Sequence, residues 1–452
     1  MPIRFSIRRR AGRCARPLRG LPRVAATILA ALLCAKGAWA GVPPSAAVED
    51  DQFQRNYLLG DWMGSRTWLW ERGLQPKLLL ITDPYGNATG GRRQAFATYS
   101  MFCADLKVDT EKAFSLPGGV FHVGFATNFG NRLTGGYVGN TFPIQSSDVA
   151  PPGPRLTDLS YTQALFGDKL SLRAGRVSID SLYGEEFAAS KYFRAFTSVA
   201  FNAIPFAIFY NSPGAFGYPA TTWGARVKIA PVDRFYAMAG IYNGDPAVGL
   251  PDRHGVDFSF HGPPFGIGEI GYRHNQASGD TGLPGNLKLG GFVLGGHIRR
   301  YAAEDSSDGR YGLYVVGDQA LLRLGPTSAN RQVGVFGSLV VAPDEAVSPM
   351  TWFFSTGFVI YGPFASRPQD YLSVGMAYGS FSGRLRDERV ELHRSDPSVV
   401  VPGHEMTIET SYALQLLPGL ILQPGLQVIV NPGGRASIPA VLALGLNMVV
   451  SL

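Results

Sequence analysis

The residues with the most familiar chemical spacing are three glycines, Gly266, Gly268 and Gly271, which fit the pattern G-x-G-x-x-G. In a dinucleotide-binding protein this pattern follows a buried strand and opens a helix, whose first N–H groups receive the pyrophosphate. Here Pro263 and Pro264 precede the glycines, and another alternating segment follows them. The sequence therefore predicts no cofactor. We interpret the glycines as residues on the crowded inner face of a strand.

Other catalytic or metal-binding patterns are weak. The histidines contain no H-E-x-x-H pair, and the arrangement that comes nearest to a metal site is His254 and His261 on either side of Asp257. No G-x-S-x-G elbow is present, so acyl transfer has no identifiable nucleophile. Cys103 is the single cysteine outside the first forty residues, which excludes an internal disulfide and a thiolate cluster there. We predict neither an enzyme nor a metal site.

The N-terminus has the composition of an export signal. Residues 1–40 contain nine Lys and Arg and no acid, with an apolar stretch from Val24 to Ala35 and the ending Ala38-Trp39-Ala40. This stretch is shorter than the roughly 20 residues that a spanning helix needs, so it is typical of a cleaved signal peptide. We predict cleavage after Ala40, a linker at 41–56 and one domain at 57–452. Without the nine leader cations the net charge of +7 becomes −2, which gives no indication of a nucleic-acid partner.

The rest of the chain alternates with the period of a β-strand. In the last twelve residues Leu442, Leu444 and Leu446 share one face, while Ala443 and Gly445 share the other. Similar segments predict sixteen strands, an even number as bacterial barrels require. They are 75–82, 95–108, 119–129, 155–166, 169–177, 222–230, 234–243, 265–274, 287–300, 310–323, 331–341, 351–361, 370–381, 405–416, 419–430 and 441–452.

The composition favours a membrane barrel over a soluble β-protein. Aromatic residues make up 12% of the chain and charged residues 17%. A soluble β-sandwich, such as a secreted lectin, would present more Lys and Glu on its outward strand faces. We therefore predict an all-β fold, a transmembrane antiparallel barrel of about 16 strands.

Two segments interrupt the alternation. Residues 61–72 predict a short N-terminal helix, with Asp61 as a cap and Gly73 in the left-handed position after it. Residues 178–221 are too long for a hairpin turn and contain Pro205 and Pro213. A loop of this length inside a compact domain is usually functional. We predict that it folds inward and narrows the bore.

Several separated motifs in a fixed order resemble the carbohydrate-selective, OprB-like porins. They are LGDWMGSRTWLWERGLQ at 59–75, RAGRVSIDSLYG at 173–184, FNAIPFAIFYNSPGAFGYPATTWGARVK at 201–228, GIYNGDP at 240–246 and EMTIETSYALQLLPGLILQPGLQVIVNPGG at 405–434. The resemblance implies a monomeric, sixteen-stranded outer-membrane barrel that admits monosaccharides such as glucose and related polyols. The chain departs from the family in ending at Leu452 rather than at an aromatic residue, and in having Met63 and Ser65 where small residues are common.

A bore for neutral sugars needs hydrogen-bonding groups that replace part of the solute's water, together with aromatic faces for its C–H patches. Arginine–carboxylate pairs supply fixed hydrogen bonds without a strong net field. Alternation or motif position predicts that the pore lining includes Arg92, Arg173 or Arg176, Arg226, Lys228, Glu269, Arg273 and Glu409. The inward loop or its ends add Asp180, Glu185, Glu186, Tyr210, Asn211, Tyr218 and Trp223. Alternation places Arg173 and Arg176 on opposite faces and Trp223 on the outer one.

The sequence thus predicts a passive channel for small neutral sugars in the outer membrane of a Gram-negative bacterium. Its expected partners are the carbohydrates, outer-membrane lipid and lipopolysaccharide, and the barrel-insertion machinery. Three alternatives stay open: a general or anion-preferring porin, an outer-membrane lipase, and the secreted lectin. A phosphate-selective pore would require a denser series of basic residues than a net charge of −2 suggests. A lipase would require an exposed Ser–His pair on the lipid-facing wall, and no such pair stands out in the sequence.

Overall fold

The computed structural model describes residues 57–180, 186–213, 217–250, 254–277, 279–325 and 331–452. The predicted leader, the predicted linker and Glu185 lie outside these ranges. Four α-helices are described: α1 Ser65–Glu71, α2 Thr110–Phe114, α3 Phe206–Asn211 and α4 Gly383–Ser395. None of them is long and apolar enough to cross a bilayer.

Sixteen antiparallel strands form a closed barrel in which each strand pairs with its neighbours in sequence and β1 pairs with β16. The predicted fold class and strand number are confirmed. The strands are β1 Leu74–Thr89, β2 Phe96–Asp109, β3 Gly119–Gly130, β4 Gly153–Leu165, β5 Leu170–Val177, β6 Thr222–Val232, β7 Phe235–Asn243, β8 Pro264–His274, β9 Gly285–Arg299, β10 Ser306–Arg323, β11 Gln332–Val341, β12 Met350–Tyr361, β13 Tyr371–Phe381, β14 His404–Leu417, β15 Leu420–Val430 and β16 Val441–Ser451.

The predicted N-terminal helix is present but shorter. Helix α1 begins at Ser65, and Gly64 occupies the position before it. Asp61 still serves this helix, because its Oδ1 accepts a hydrogen bond of 2.8 Å from the Thr67 N–H. Gly73 has φ +79°, the left-handed conformation predicted for the residue after the helix.

The two ends of the barrel differ in their connections. At one end lie the links 131–152, 178–221, 244–263 and 382–403, the last containing α4; at the other the turns are short, as between β6 and β7 or β14 and β15. Bacterial barrels place long loops outside the cell and short turns in the periplasm. We refer to these ends as the long-loop end and the short-turn end.

Inward and outward positions alternate along the wall. In β16 the inner face carries Val441, Ala443 and Asn447, all buried, while Leu444 on the outer face is exposed. Apolar side chains therefore cover the outside of the cylinder, as lipid contact requires.

The inner face is not uniformly small and polar. From β7 to β13 it carries buried aromatic and aliphatic side chains such as Phe265, Phe292, Phe336 and Phe353, which form one core cluster with the link 178–221. The described parts of this link, including α3, thus fold inward, as predicted. Without the loop, these apolar side chains would be exposed to water inside the barrel. The loop covers them, which removes the apolar surface from water.

Glycines on the inner wall give aromatic rings space to lie flat against the backbone. A Cβ on Gly445 would come within 2.2 Å of the Tyr85 ring, and one on Gly334 within 2.0 Å of the Tyr192 hydroxyl. Gly271 meets Tyr236 in the same way. Gly266 and Gly268 alternate with inward Phe265 and Ile267 and point outward, so our inner-face interpretation was correct for Gly271 alone.

A valine at Gly334 tests this packing. Gly334→Val should displace Tyr192 and the loop that carries it, because the space above Gly334 is already filled by the ring. The expected result is a noisier single-channel current with the folded barrel still present in detergent gels. Gly337→Val is the matched control, since Gly337 lies on the same strand and its Cβ would be 3.9 Å from its nearest neighbour, the Ser355 carbonyl oxygen. Equal noise in both variants would contradict the packing argument.

Candidate functional site

Two carboxylates on the inner wall hold the loop 178–221. Glu269 accepts hydrogen bonds from the Ala188 N–H at 2.6 Å and from the hydroxyls of Tyr236 at 2.6 Å and Tyr314 at 3.0 Å. Glu409 accepts from the Thr197 N–H at 2.7 Å and the Ser198 N–H at 2.8 Å. Buried peptide N–H groups need partners, and charged acceptors make the stronger bonds. Both glutamates were predicted to line the pore; the structure shows them buried against the loop.

Two further wall carboxylates hold the link 131–152 in the same manner. Glu405 accepts from the Thr141 N–H at 2.7 Å and the Phe142 N–H at 2.8 Å. Asp83 accepts from the Ser147 N–H at 3.0 Å, and also from the side-chain amide of Asn447. Neither residue was predicted. Glu405 lies on the same inward face of β14 as Glu409, so strand alternation could have identified it. Asp83 could not be identified in this way, because the predicted first strand ended one residue before it.

A charged cluster stands at the base of the loop. Arg173 Nη2 lies 2.6 Å from Asp158 Oδ2, and Arg173 Nη1 lies 2.7 Å from Glu186 Oε1. Arg226, opposite Arg173 in the strand register, has its Nε 3.3 Å from Glu186 Oε2. The predicted residues Arg173, Arg226 and Glu186 are thus brought together, and Asp158 joins them. We call these four residues the base cluster; its two positive and two negative charges balance.

The structure resolves the conflict between Arg173 and Arg176. Arg176 pairs in register with Trp223, and both belong to the parity opposite Arg173 and Arg226. Arg176 Nη2 donates to the Thr221 carbonyl at 2.8 Å, and the Trp223 indole donates to the Asp257 carbonyl at 3.1 Å. The segment around Asp257 therefore covers these two side chains on the outer side of the wall. This placement corrects their predicted pore-lining role.

Lys228 and Arg273 approach the same aromatic ring. The Lys228 Nζ lies 4.9 Å and the Arg273 Cζ 5.0 Å from the centroid of the Tyr236 ring. These distances are within the range of cation–π attraction. Because the Tyr236 hydroxyl donates to Glu269, the two predicted cations and the predicted carboxylate belong to one connected group on the inner wall.

The predicted loop residues have different roles. Asn211 is buried, donating to the Met350 carbonyl at 2.8 Å and accepting from its N–H at 3.1 Å. Asp180 accepts from the Tyr218 N–H at 2.7 Å, and burial raises the pKa of its carboxyl to about 6. Tyr210 is half-buried, with its ring edge against Phe381 at 5.8 Å between centroids.

Other candidates lie apart from these contacts. Arg92 is exposed in the link between β1 and β2 at the long-loop end. His254 and His261 bond to the Pro154 carbonyl and the Ser259 hydroxyl, respectively. No group of three potential ligands that could hold a metal is found within the ranges that the structure describes.

Comparison with known proteins identifies the family. The profile of the carbohydrate-selective porin family OprB matches residues 93–452. Porin B of Pseudomonas aeruginosa is 25% identical over 439 residues, covering 89% of this chain and 93% of that protein. The putative porin QuiX of Acinetobacter baylyi is 22% identical over 433 residues, covering 87% and 92%. The high-pH structure of Pseudomonas putida OprB has a TM-score of 0.80 at 22% identity, covering 88% of this chain and 98% of that one.

The chain therefore belongs to the OprB family of carbohydrate-selective porins. The profile covers most of the chain, and the structural match extends the agreement to the whole barrel fold. A porin is a channel rather than an enzyme, and its barrel places it in the outer membrane. The resemblance predicted from separated motifs is confirmed.

Removal of one anchoring charge should loosen the loop without opening the barrel. Glu409→Gln replaces an acceptor of two peptide N–H groups by an amide that can satisfy them only in part, at a cost of about 2 kcal/mol. Trypsin should then cut faster in detergent at Lys191 or Arg194, which lie in the loop. Thr410→Val, at the neighbouring outward position, is the control. An unchanged cleavage rate in Glu409→Gln would show that this carboxylate does not restrain the loop.

Proposed function

We propose that this member of the OprB family is a passive diffusion channel for small neutral carbohydrates, of the size of glucose and related polyols. The observation that carries the proposal is the inward loop, which Glu269 and Glu409 hold to the wall and which contributes Glu186 to the base cluster. A loop fixed in this way narrows the bore to a constant shape. Solutes that fit it cross down their own gradient, and no reaction is needed.

The base cluster suits a neutral, hydroxyl-rich solute. Guanidinium groups offer donors in fixed directions, and carboxylates offer acceptors, so a sugar can exchange part of its water for them. The two charges of each sign leave little net field, which favours uncharged solutes over ions. Weak, replaceable hydrogen bonds also allow release, which conduction requires. This charge balance supports the sugar channel over a general anion-preferring porin.

The cellular setting follows from the sequence. We propose that residues 1–40 direct export and are then removed, and that the barrel enters a Gram-negative outer membrane through the insertion machinery. There its apolar wall would contact lipid, and its long-loop end would contact lipopolysaccharide.

Liposome swelling tests the proposed function. We expect vesicles carrying the purified protein to swell in glucose faster than in a disaccharide, because the loop limits solute size, and faster than in a charged solute of glucose size. Empty vesicles provide the baseline. Equal rates for all three solutes would remove the claim of carbohydrate selectivity.

Arg226 gives a site-directed test. Arg226→Ala removes one donor of the base cluster and leaves Arg173 as the remaining ion-pair partner of Glu186 among the described residues. We expect glucose flux or single-channel conductance to change by about twofold or more, as for the loss of one partly buried ion pair. Val227→Ala, the outward neighbour, is the control. If neither quantity changes relative to this control, Arg226 does not border the narrow region.

A further inference from the structure

Two arginines meet at the long-loop end without a carboxylate between them. An ideal Cβ on Gly139 would lie 2.5 Å from Arg92 Nε and 2.8 Å from Arg435 Nη2, so these nitrogens are no farther apart than the two distances added together. Neither arginine has an ion-pair partner within the described part of the chain. Like charges this close repel each other unless an anion joins them. The arrangement therefore calls for an acceptor that the chain does not provide.

The donors of Arg435 are only partly used. Its Nη2 donates to the Gly139 carbonyl at a long 3.3 Å, while its Nε is buried and has no hydrogen-bond partner among the described residues. Burial lowers the pKa of Arg435, and the neighbouring charge of Arg92 lowers it further. A buried Nε–H without a protein partner is available to donate to a ligand atom.

The local backbone keeps this place open. Gly139 and Gly433 flank the Arg435 guanidinium, and a Cβ on Gly433 would lie 3.4 Å from its Nε. Among the described residues, Glu405 is the carboxylate that acts electrostatically on Arg435. Its oxygens already accept the N–H groups of Thr141, Phe142 and Gly433. Glu405 thus orders the surrounding loops and reduces the local positive charge without supplying the missing acceptor.

We propose that Arg92 and Arg435 form an oxyanion-binding site at the long-loop end, which takes the carboxylate or phosphate of an acidic sugar. Two guanidinium groups that converge on one point match the paired oxygens of either group. The site extends the proposed function from neutral sugars to sugars that carry one anionic group. Transport of such sugars through the bore rests on the proposed function, whereas their binding at the site does not. The balanced base cluster would then meet the sugar's hydroxyls.

Ligand-observed saturation-transfer NMR on the detergent-solubilised protein tests binding without any need for transport. The probes are glucuronate for the carboxylate, glucose 6-phosphate for the phosphate and glucose as the neutral reference. We expect both acids to bind the wild-type chain more tightly than glucose does. The double variant Arg92→Gln/Arg435→Gln should bind the acids about fivefold to tenfold more weakly, as for the loss of one exposed and one half-buried charged contact. Response of only one acid to the variant would assign the site to that group.

Arg394→Gln is the control variant. Arg394 lies on α4 at the same end, is exposed and pairs with Glu391 at 2.5 Å, so its loss removes one positive charge without touching the site. Equal affinity for the acids in the wild type and the double variant would overturn the proposal. So would an equal loss in Arg394→Gln, which would indicate general charge attraction. Liposome swelling in glucose tests the proposed function separately. A barrel that binds the acids but does not pass glucose would contradict the proposed function and leave the oxyanion site supported.

Discussion

Buried carboxylates that accept peptide N–H groups are the interaction on which the interior of this barrel depends. A loop folded into a barrel brings backbone donors away from bulk water, and each donor needs a partner. Glu269, Glu405, Glu409 and Asp83 provide these partners from the inner wall. Because the acceptors are charged, the bonds are strong and directional. The loops are therefore held in one place, and the shape of the bore follows from that placement.

The interior has two kinds of surface, and the loop 178–221 separates them. On β7–β13 the inner face is aromatic and aliphatic, and the loop covers it with its own apolar side chains. Around Arg173 the interior is charged and balanced. The barrel wall thus has three kinds of contact surface. Its outer face contacts lipid, the apolar part of its inner face packs against the loop, and the rest of the inner face carries polar and charged groups. Glycines such as Gly334 allow the aromatic rings to lie close to the wall.

The fold was more predictable than the site. Sixteen alternating segments were enough for the strand number. The first strand was predicted to end at residue 82, but it continues through Pro84 and Gly86 to Thr89. Helix α4 was missed, although Ser382 accepts the Leu385 N–H as an N-cap. At the site, Glu409 was predicted to contact solute, but it holds the loop to the wall. Strand alternation places a glutamate on the inner face in either role, so the sequence pattern could not distinguish the two.

The sequence by itself determined which side chains share a face, because strand alternation has a fixed period of two and one face must contact lipid. It also determined the family, through motifs such as the one at 405–434. Only the tertiary structure decided which inward side chains bind the backbone of the loops and which remain available inside the barrel. Arg173 and Glu186 are brought together by the return of the loop to the wall, and Arg92 and Arg435 by the approach of three separate loops. Such contacts depend on loop paths, which no local pattern specifies, since they are set by packing across the whole barrel.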